Sequence, residues 1–534
     1  MHVHKVTSCV RCPVMVTQWT QEALALHQAG RLAEAETLYL KSLATDPNFY
    51  PALHLMGVMR LHQGRAAEAL PYIERALTIK PGAPETLANY GIALEGVGRY
   101  DEALGALQKV VTQSPGDSRA WSNRGALLSK LHRKEESLAD FDRAVALDPS
   151  YADAWRNRGE TLLALARSTE ALESYDRVLR FRPEDVEARN GRGLALKALG
   201  RAGEALVEFD RVLQMKPDHV WAWVSRGNVL RSLGEPDQEL HSYDRALAIR
   251  PNMPEALISR AVCLWTCKRD LAGAMADQER AVTLAPDYPY ARGDLALMRM
   301  LAGDWHDLAR ERAALHEGER DGKRVIQPYV YQAISSSPAD LLGCAKIYAQ
   351  HNYPPVHPAP QPRARREGKI RVGYLCGEFR AQATMHLAAG LFEHHDRARF
   401  EVIGYDNSID DGSPMRRRVI AAFDKFVPIQ RVSDREAASL IASDAVDLLV
   451  NLSGYMGAPR MGVFALRPAP IQVNYLGFPG TLGADYMDYI LADAEVIPAG
   501  EDHFYSEKVV RLPGSYQIND SLRPRPAPTT RAAH

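Results

Sequence analysis

The sequence lacks an excess of charge of either sign, and it lacks long apolar runs. Its 534 residues include 65 Lys and Arg against 66 Asp and Glu, a formal net charge of −1 at pH 7. Nucleic-acid-binding domains usually carry a basic excess, so this balance argues against a nucleic-acid partner. No run approaches the roughly 18 consecutive apolar residues of a membrane helix, and the start of the chain has no apolar core of signal-peptide length. We therefore expect a cytoplasmic protein with no membrane partner.

Cysteine is also scarce, with 6 residues scattered along the chain. That number does not make a disulfide framework in a chain of this size. Cys9 and Cys12 have the spacing of a metal-ligand pair, but no second cysteine pair stands nearby. This favours two free thiols in a flexible N-terminus, residues 1–15, over a zinc site.

What the sequence does contain is a proline that recurs every 34 residues, which is the period of the tetratricopeptide repeat. These prolines are Pro47, Pro81, Pro115, Pro149, Pro183, Pro217 and Pro251. Ten residues after each proline comes a small residue, from Gly57 to Gly227 and then Ala261. Two helices must approach closely there, because a side chain larger than methyl would clash. Pro286 ends the next unit one residue late, after an insertion-like stretch at 268–270.

A second small residue recurs 22 residues after the proline, and Glu239 breaks this pattern in one repeat. The regular members are Ala69, Ala103, Ser137, Ala171 and Ala205. We predict an α-solenoid of about eight repeats over residues 16–286, in which each hairpin buries its apolar face on its neighbours. Such a stack curls into a superhelix with a concave groove. A helical connector and linker follow over residues 287–368.

One position of the first helix in successive repeats carries an amide side chain, at Asn89, Asn123 and Asn157. A ladder of amides could hydrogen-bond the backbone of an extended peptide in the groove without reading its sequence. The alternative interpretation is that these are ordinary polar residues on a solvated helix face. The repeats predict protein or peptide partners under either interpretation.

Beyond the linker, short β-rich runs alternate with helical stretches. The runs begin at Ile370, Phe400, Asp447, Ile471, Asp488 and Lys508. The helical stretches are 385–394, 414–426 and 434–443. This alternation predicts a mostly parallel sheet covered on both faces, a Rossmann-like α/β lobe over residues 369–520. Ligands of such sheets lie beyond the carboxyl ends of the strands.

The loops after three of these runs are therefore candidate ligand sites, at 377–387, 453–462 and 477–483. The third reads G-F-P-G-T-L-G and could bring backbone N–H groups close to a phosphate or sugar, although most Gly/Pro loops are only turns. It is not a Walker loop, and no G-x-G-x-x-G follows the first run. Nothing in these loops indicates ATP or NAD.

Several runs together resemble the O-GlcNAc transferase and SPINDLY-like family. They are RVGY from Arg371, FEV from Phe400, DLLVNL from Asp447, FALRPAPIQVNYLGFPGT from Phe464 and YSEK from Tyr505. The stretch 464–493 is long and specific, and the resemblance covers nearly the whole chain. It implies a glycosyltransferase of the GT-B architecture, with two Rossmann-like lobes and UDP-N-acetylglucosamine in the cleft between them. It also implies an inverting transfer to Ser or Thr of a protein in the repeat groove, without metal or other cofactor.

The resemblance implies site residues as well. Its catalytic positions correspond to Gln382, where family members usually carry a His, and to His386, four residues on and on the same helical face. Gln can hydrogen-bond a hydroxyl, but it cannot take a proton near neutral pH as His can. A packed or capping role for His386 is an equal alternative. The donor- or acceptor-binding positions are Thr384, Gly454, Tyr455, Gly477, Pro479, Gly480 and Thr481.

In this family a second lobe supplies most of the nucleotide contacts, and residues 521–534 look like the connector that leads to it. Two hypotheses follow. The first is a protein O-GlcNAc transferase, represented here by its N-terminal part. The second is a non-catalytic repeat adaptor with a truncated transferase lobe. The donor sugar rests on the resemblance alone, since some relatives transfer fucose instead.

Overall fold

A computed structural model describes residues 11–356, 368–456 and 459–522. Contacts within the chain divide it into two compact units, Met1–Pro217 and Asp218–His534. Cys9 and the side chain of Cys12 lie outside the described residues, as does most of the segment 521–534, so the predictions made for them stay predictions. The first helix begins at Arg11, inside the segment predicted to be flexible.

The first unit consists of antiparallel helical hairpins. Its helices are α1 Arg11–Gln28, α2 Leu32–Thr45, α3 Tyr50–His62, α4 Ala66–Ile79, α5 Pro84–Gly96, α6 Tyr100–Gln113, α7 Ser118–Lys130, α8 Lys134–Leu147, α9 Ala152–Ala164, α10 Ser168–Phe181, α11 Val186–Ala198 and α12 Ala202–Met215. The turn inside a hairpin needs a left-handed residue, which glycine adopts without strain, as at Gly98 with φ 79°. Ala166 takes the same place with φ 57°.

The predicted close approach of the two helices of a hairpin is confirmed. A Cβ placed on Gly91 of α5 would lie 2.7 Å from Cγ of Leu107 in α6. A Cβ on Gly159 of α9 would lie 2.8 Å from the ring of Tyr175 in α10. The recurring glycine therefore marks the point where a large buried side chain of the second helix crosses the first.

The second unit starts with two further hairpins and continues into shorter helices. The hairpin helices are α13 Val220–Leu233, α14 Pro236–Ile249, α15 Pro254–Thr266 and α16 Leu271–Leu284. The following helices are α17 Ala291–Ala302, α18 Leu308–Arg320, α19 Pro328–Tyr331 and α20 Pro338–Asn352. The insertion predicted at 268–270 falls in the turn between α15 and α16, so it lengthens that turn without interrupting a helix.

An α/β lobe ends the described chain. Its strands are β1 Ile370–Cys376, β2 Phe400–Asp406, β3 Lys425–Pro428, β4 Leu448–Asn451, β5 Ile471–Asn474, β6 Tyr489–Ala492 and β7 Lys508–Arg511. All strand pairs are parallel, in the order β3-β2-β1-β4-β5-β6-β7. The helices are α21 Ala383–Glu393, α22 Pro414–Ala421, α23 Asp434–Ser443 and α24 Met461–Ala465, with a short 3₁₀ turn at Asp502–Phe504.

Two hydrophobic clusters cover the two faces of the sheet. One contains residues of α21 and α22, and the other contains residues of α20, α23 and α24. Helices on both faces are what a buried parallel sheet requires. The predicted fold class, an α-solenoid of tetratricopeptide-type hairpins followed by a Rossmann-like α/β lobe, is confirmed.

The sequence prediction was wrong for residues 422–426. It continued the helix to Phe426, whereas α22 ends at Ala421 and Lys425 begins the edge strand β3. Phe423 and Phe426 prolonged the helical spacing, but both rings pack against the sheet from the strand and the turn before it. A four-residue edge strand with exposed ends has too little alternation to be recognised from the sequence.

Within the described ranges, no helix is both long enough and apolar enough to cross a bilayer. The cytoplasmic location stays a prediction.

Candidate active site

The strand order places a topological switch point between β1 and β4. From β1 the chain proceeds to β2 and β3 on one side, and from β4 it proceeds to β5, β6 and β7 on the other. Loops that leave neighbouring strands in opposite directions open a crevice at the carboxyl edge of the sheet, which is where α/β proteins bind ligands. We call the loops after β1, β4 and β5 loop 1 (377–382), loop 4 (452–460) and loop 5 (475–483). Residues 457 and 458 of loop 4 lie outside the described residues.

The backbone of loop 1 is hydrogen-bonded to residues that follow β2. The backbone N–H of Phe379 donates to Oγ of Ser408 at 2.6 Å, and that of Ala381 donates to Oδ2 of Asp411 at 2.9 Å. The second of these hydrogen bonds, followed by hydrogen bonds from Ser413, lowers the pKa of the Asp411 carboxyl to about 2. Both bonds fix the backbone of the loop, and the ring of Phe379 is buried against the sheet.

A buried arginine of α22 connects the backbone of loop 1 to the last residue of β2 by hydrogen bonds. Nη1 of Arg416 donates to the carbonyl oxygen of Phe379 at 2.9 Å, and Nη2 donates to Oδ2 of Asp406 at 2.8 Å. Asp406 ends β2 and is 0% exposed. A buried charge pair of this kind is costly to break, so it fixes loop 1 relative to the sheet. Sequence reasoning did not find this pair, because nothing local distinguishes Arg416 from the arginines beside it.

The predicted catalytic positions lie where loop 1 enters α21. Gln382 is the N-cap residue of this helix, is half-buried and, among the described residues, makes no capping hydrogen bond through its side chain. His386 is exposed in the first turn, and its backbone N–H donates to the carbonyl oxygen of Gln382 at 3.1 Å. The expected common helical face was wrong, because Gln382 precedes the helix with extended dihedrals. The hydroxyl of Thr384 donates to Oε2 of Glu378 at 2.6 Å.

Loop 4 is shaped by the last residue of its strand. Oδ1 of Asn451 accepts hydrogen bonds from the backbone N–H groups of Ser453 at 3.1 Å and Gly454 at 3.0 Å. Gly454 has φ 57°, and a Cβ there would overlap Phe478 of loop 5. The N–H of Gly377 donates to Oγ of Ser453 at 3.4 Å, which links loop 4 to loop 1. The three loops therefore form one connected edge.

Tyr455, a predicted ligand-binding residue, is a packing residue in the structure. It is 8% exposed, its ring lies 4.9 Å from that of Tyr348 in α20, and its hydroxyl donates to the carbonyl oxygen of Leu482. Desolvation raises the pKa of Tyr455 well above its ordinary value. The side chain joins loop 4 to loop 5 and to the connector helix, and its direct contact with a ligand stays a prediction.

Loop 5, the predicted glycine loop, packs tightly against other parts of the second unit. A Cβ on Gly477 would overlap the carbonyl oxygen of Leu452, and one on Gly480 would overlap the side chain of Gln332. Pro479 is half-buried between these two glycines. The backbone contact accounts for Gly477 without a ligand, whereas the end of the Gln332 side chain near Gly480 could move aside.

The end of loop 5 is held by Glu507, which sequence reasoning missed. Its Oε2 accepts from the hydroxyl of Thr481 at 2.7 Å, and its Oε1 accepts from the N–H of Leu482 at 2.7 Å. Burial raises the pKa of Glu507, against the effect of these hydrogen bonds. Glu507 lies in the YSEK run on which the family resemblance rests, and that run was the one available signal for it.

The three ladder asparagines lie on the first helices of successive hairpins in the first unit, α5, α7 and α9. Asn89, Asn123 and Asn157 are all half-buried. Within the described part of the chain, none of their amide side chains is hydrogen-bonded. Donor and acceptor groups that the fold itself does not use are available to a peptide backbone.

An arginine directly follows two of these asparagines and recurs with the same 34-residue period, at Arg124, Arg158 and Arg192. Each binds the second helix of its own hairpin and that of the preceding hairpin. Arg158 donates to Oδ1 of Asp142 at 2.6 Å and to Oγ of Ser174 at 2.7 Å. The arginines therefore fix the register of neighbouring hairpins, and with it the spacing of the asparagines. Their 34-residue period is the sequence signal by which these arginines could have been predicted.

Two kinds of family model match the chain. Residues 327–528 match the model described as Glycosyl transferase family 41. Residues 20–84, 60–131 and, in overlapping segments, 127–289 match models described as Tetratricopeptide repeat. The first match includes α19 and α20, so the connector helices belong to the same matched region as the α/β lobe.

Named proteins resemble parts of the chain. The probable UDP-N-acetylglucosamine–peptide N-acetylglucosaminyltransferase SEC of Arabidopsis thaliana is 37% identical over 206 residues, 36% of this chain and 21% of that protein. The UDP-N-acetylglucosamine–peptide N-acetylglucosaminyltransferase of Caenorhabditis elegans is 38% identical over 153 residues, 28% of this chain and 13% of that protein. The structure of a Thermobaculum terrenum O-GlcNAc transferase variant is 23% identical and covers 68% of this chain and 58% of its own, with a TM-score of 0.29. The chain therefore spans only about a fifth or less of the curated relatives' lengths.

Proposed function

We propose that this chain, which carries a glycosyl transferase family 41 region behind tetratricopeptide repeats, is a protein O-GlcNAc transferase. It would transfer N-acetylglucosamine from UDP-N-acetylglucosamine to Ser or Thr hydroxyls of proteins bound by its repeats. The names of the curated relatives support the donor and the reaction. The observation that carries the proposal is the joining of loops 1, 4 and 5 into one edge at the switch point of the sheet.

The nucleotide sugar would lie against this edge. The N-terminus of α21 presents the free backbone N–H groups of a helix start and a partial positive charge, which suit a diphosphate. The amide of Gln382 stands at the same place, half-buried and without a capping bond among the described residues. The backbone of loop 1 is already fixed by Arg416 and Asp411, so little ordering would be needed on binding.

In an inverting transfer the acceptor hydroxyl attacks the anomeric carbon while the bond to the diphosphate breaks, and the hydroxyl proton must pass to a base. Gln382 can orient a hydroxyl but cannot take this proton. His386 is the imidazole of the first turn of α21 and is exposed to solvent. We assign the orienting role to Gln382 and the proton-accepting role to His386.

The reaction as proposed uses no metal ion. The neighbouring carboxylates Asp410 and Asp411 already have protein partners, because Asp411 accepts from the N–H of Ala381 and Asp410 lies 3.0 Å from Nε of Arg416. Of the two, Asp411 bonds directly to loop 1. The family resemblance implies the same absence of a cofactor.

The acceptor protein would be held by the repeats, with its extended backbone on the free amides of Asn89, Asn123 and Asn157. Hydrogen bonds to the backbone would allow many sequences to be bound. We place the protein in the cytoplasm, in agreement with the sequence prediction.

A second candidate function is a repeat adaptor without catalysis. The observation in its favour is Gln382 itself, because this position has an amide where family members usually carry a His. An adaptor would keep the free asparagine amides and the hairpin register, and it would not need a base in loop 1.

Hydrogen exchange of the whole 534-residue chain with millimolar UDP-N-acetylglucosamine tests the proposal, with uridine as the control ligand. We expect slower exchange in loop 1 and the first turn of α21, and loss of this effect in Gln382→Ala. Unchanged exchange in both segments, together with retained peptide binding, would support the adaptor instead.

A further inference from the structure

Three residues depart from the repeat pattern, and the fold brings them to one place. Glu239 replaces the small residue that other repeats carry at its position, as in Ala171 and Ala205. Cys263 and Cys267 stand where the preceding repeat has Val229 and Leu233. A solenoid position that packs well with Ala, Val or Leu gains nothing in packing from a buried carboxylate beside two thiols.

The three side chains form a compact set of donor atoms. Glu239 lies on α14, Cys263 on α15 and Cys267 at the C-cap of α15. One carboxylate oxygen and the two sulfurs all lie within 4.8 Å of one another. The i, i+4 spacing of the cysteines places both sulfurs on the same side of the helix.

The three side chains differ in their exposure to solvent. Glu239 is 1% exposed and Cys263 is 0% exposed, whereas Cys267 is exposed. The group therefore has two inner ligands and an open outer side through which an ion and a water molecule could enter.

Glu239 is also bonded to an arginine of α13. Nε of Arg231 donates to Oε1 of Glu239 at 2.7 Å, and Nη2 donates to the carbonyl oxygen of Ser259 at 2.7 Å. Exchange of two thiol protons for one dication leaves the net charge of the group unchanged, which avoids an uncompensated buried charge.

We propose that Glu239, Cys263 and Cys267 bind one zinc ion that ties α14 to α15. Thiolate ligands favour zinc among the common divalent ions, and a carboxylate oxygen is an accepted third ligand. Water completes the tetrahedron on the open side. Zn–S bonds of about 2.3 Å place two sulfurs about 3.8 Å apart, so the donor atoms need to close by at most about 1 Å. The site is in the repeats, and the ion takes no part in sugar transfer.

Cobalt(II) tests this site, because it occupies zinc sites and its bonds to thiolates absorb in the near ultraviolet. The protein is the 534-residue chain, reduced, with Cys9→Ser and Cys12→Ser to remove the other cysteine pair. We expect one equivalent of Co²⁺ to produce the thiolate–cobalt absorption and one equivalent of Zn²⁺ to abolish it.

The matched variants carry the residues of other repeats and should therefore keep the helices: Glu239→Ala, Cys263→Val and Cys267→Leu. We expect either cysteine variant to lose the absorption and Glu239→Ala to bind Co²⁺ at least tenfold more weakly. Cys344→Ala, which removes a buried thiol in α20, should bind normally. Absence of the absorption in the folded parent protein, or its persistence in both cysteine variants, would overturn the proposal.

Discussion

The hydroxyl of Thr481 and the carboxylate of Glu507 are 2.7 Å apart, so that a residue of the glycine loop is bonded to a buried acid at the start of β7. The hydroxyl of Ser506 donates to the same carboxylate at 3.0 Å. Loop 5 is thus positioned by a residue 26 places further along the chain. The glycines allow the loop to pass close to its neighbours. The hydrogen bonds to Glu507 fix the position of the end of the loop.

Replacing Glu507 by Ala should loosen loop 5, because three donors lose their acceptor. We expect the free energy of local opening at 475–483 to fall by about 1–3 kcal/mol, the usual cost of buried groups left without partners. Hydrogen exchange of these amides measures it. Glu495→Ala, an exposed acid between β6 and β7, is the control. Equal exchange in Glu507→Ala and the parent protein would contradict the positioning role.

The pH dependence of stability should carry a contribution from Asp294 of α17. Burial raises the pKa of this carboxyl from 3.8 to about 7, even though Nε2 of Gln327 donates to it at 3.0 Å. Since the folded chain holds this proton more tightly than the unfolded chain, the contribution favours folding at low pH. It is lost as the pH rises from about 4 to about 7, by at most about 4 kcal/mol.

Asp294→Asn should remove this slope and be more stable than the parent protein at pH 8, since its amide can still accept from Gln327. Urea unfolding of both proteins at each pH measures the difference, and other titrating groups cancel in it. Asp287→Asn, whose side chain is 86% exposed, should keep the slope. A slope that persists unchanged in Asp294→Asn would show that Asp294 does not hold a proton in the folded chain.

The hairpin contact can be tested with two glycines of one hairpin. Gly91→Ala in α5 should destabilise the first unit by about 1–3 kcal/mol, because its methyl would meet Leu107 at 2.7 Å. Gly105→Ala in α6, where nothing lies within 4 Å, should stabilise it by about 0.5–1 kcal/mol through helix propensity. Thermal unfolding followed by circular dichroism compares the two. A stabilising Gly91→Ala would contradict the close approach of the helices.

The asparagine ladder predicts a loss of peptide binding without a loss of structure. Replacement of Asn89, Asn123 and Asn157 together by Ala should weaken capture of extended peptides at least tenfold, since each amide can supply hydrogen bonds of about 0.5–1.5 kcal/mol. Fluorescence anisotropy of labelled peptides measures affinity, and circular dichroism should show unchanged helicity. The control triple variant replaces exposed amides elsewhere in the unit, at Gln28, Asn48 and Gln113. Equal affinity of both triple variants would remove the assigned role.

The repeats could be predicted from the sequence because their determinants are local and periodic. The turn prolines and the small residue at Gly91 or Gly159 recur at fixed spacing, and the structure confirms the close helix approach that the small residue indicates. Most strands of the lobe could also be predicted, because buried parallel strands have short apolar runs as their sequences. β3 was missed because an edge strand from Lys425 to Pro428 has neither length nor burial.

The location of the candidate site in the fold could be predicted from the sequence, but the contacts that shape it could not. Strand–helix alternation places ligands at the carboxyl edge, which identified loops 1, 4 and 5. The contacts that hold these loops join residues far apart in the chain, such as Arg416 with Phe379 and Glu507 with Leu482. No local pattern marks such partners. For the same reason the packing of the Tyr455 ring against α20 could not be predicted.

The most direct measurement is transfer of labelled N-acetylglucosamine from UDP-N-acetylglucosamine by the native gene product, purified from its own cells, to proteins that its repeats capture. We expect label on Ser or Thr of the captured proteins, and its loss when Asn89, Asn123 and Asn157 are replaced by Ala. Capture of the same proteins with no transfer of label would contradict the transferase and leave a repeat-based adaptor.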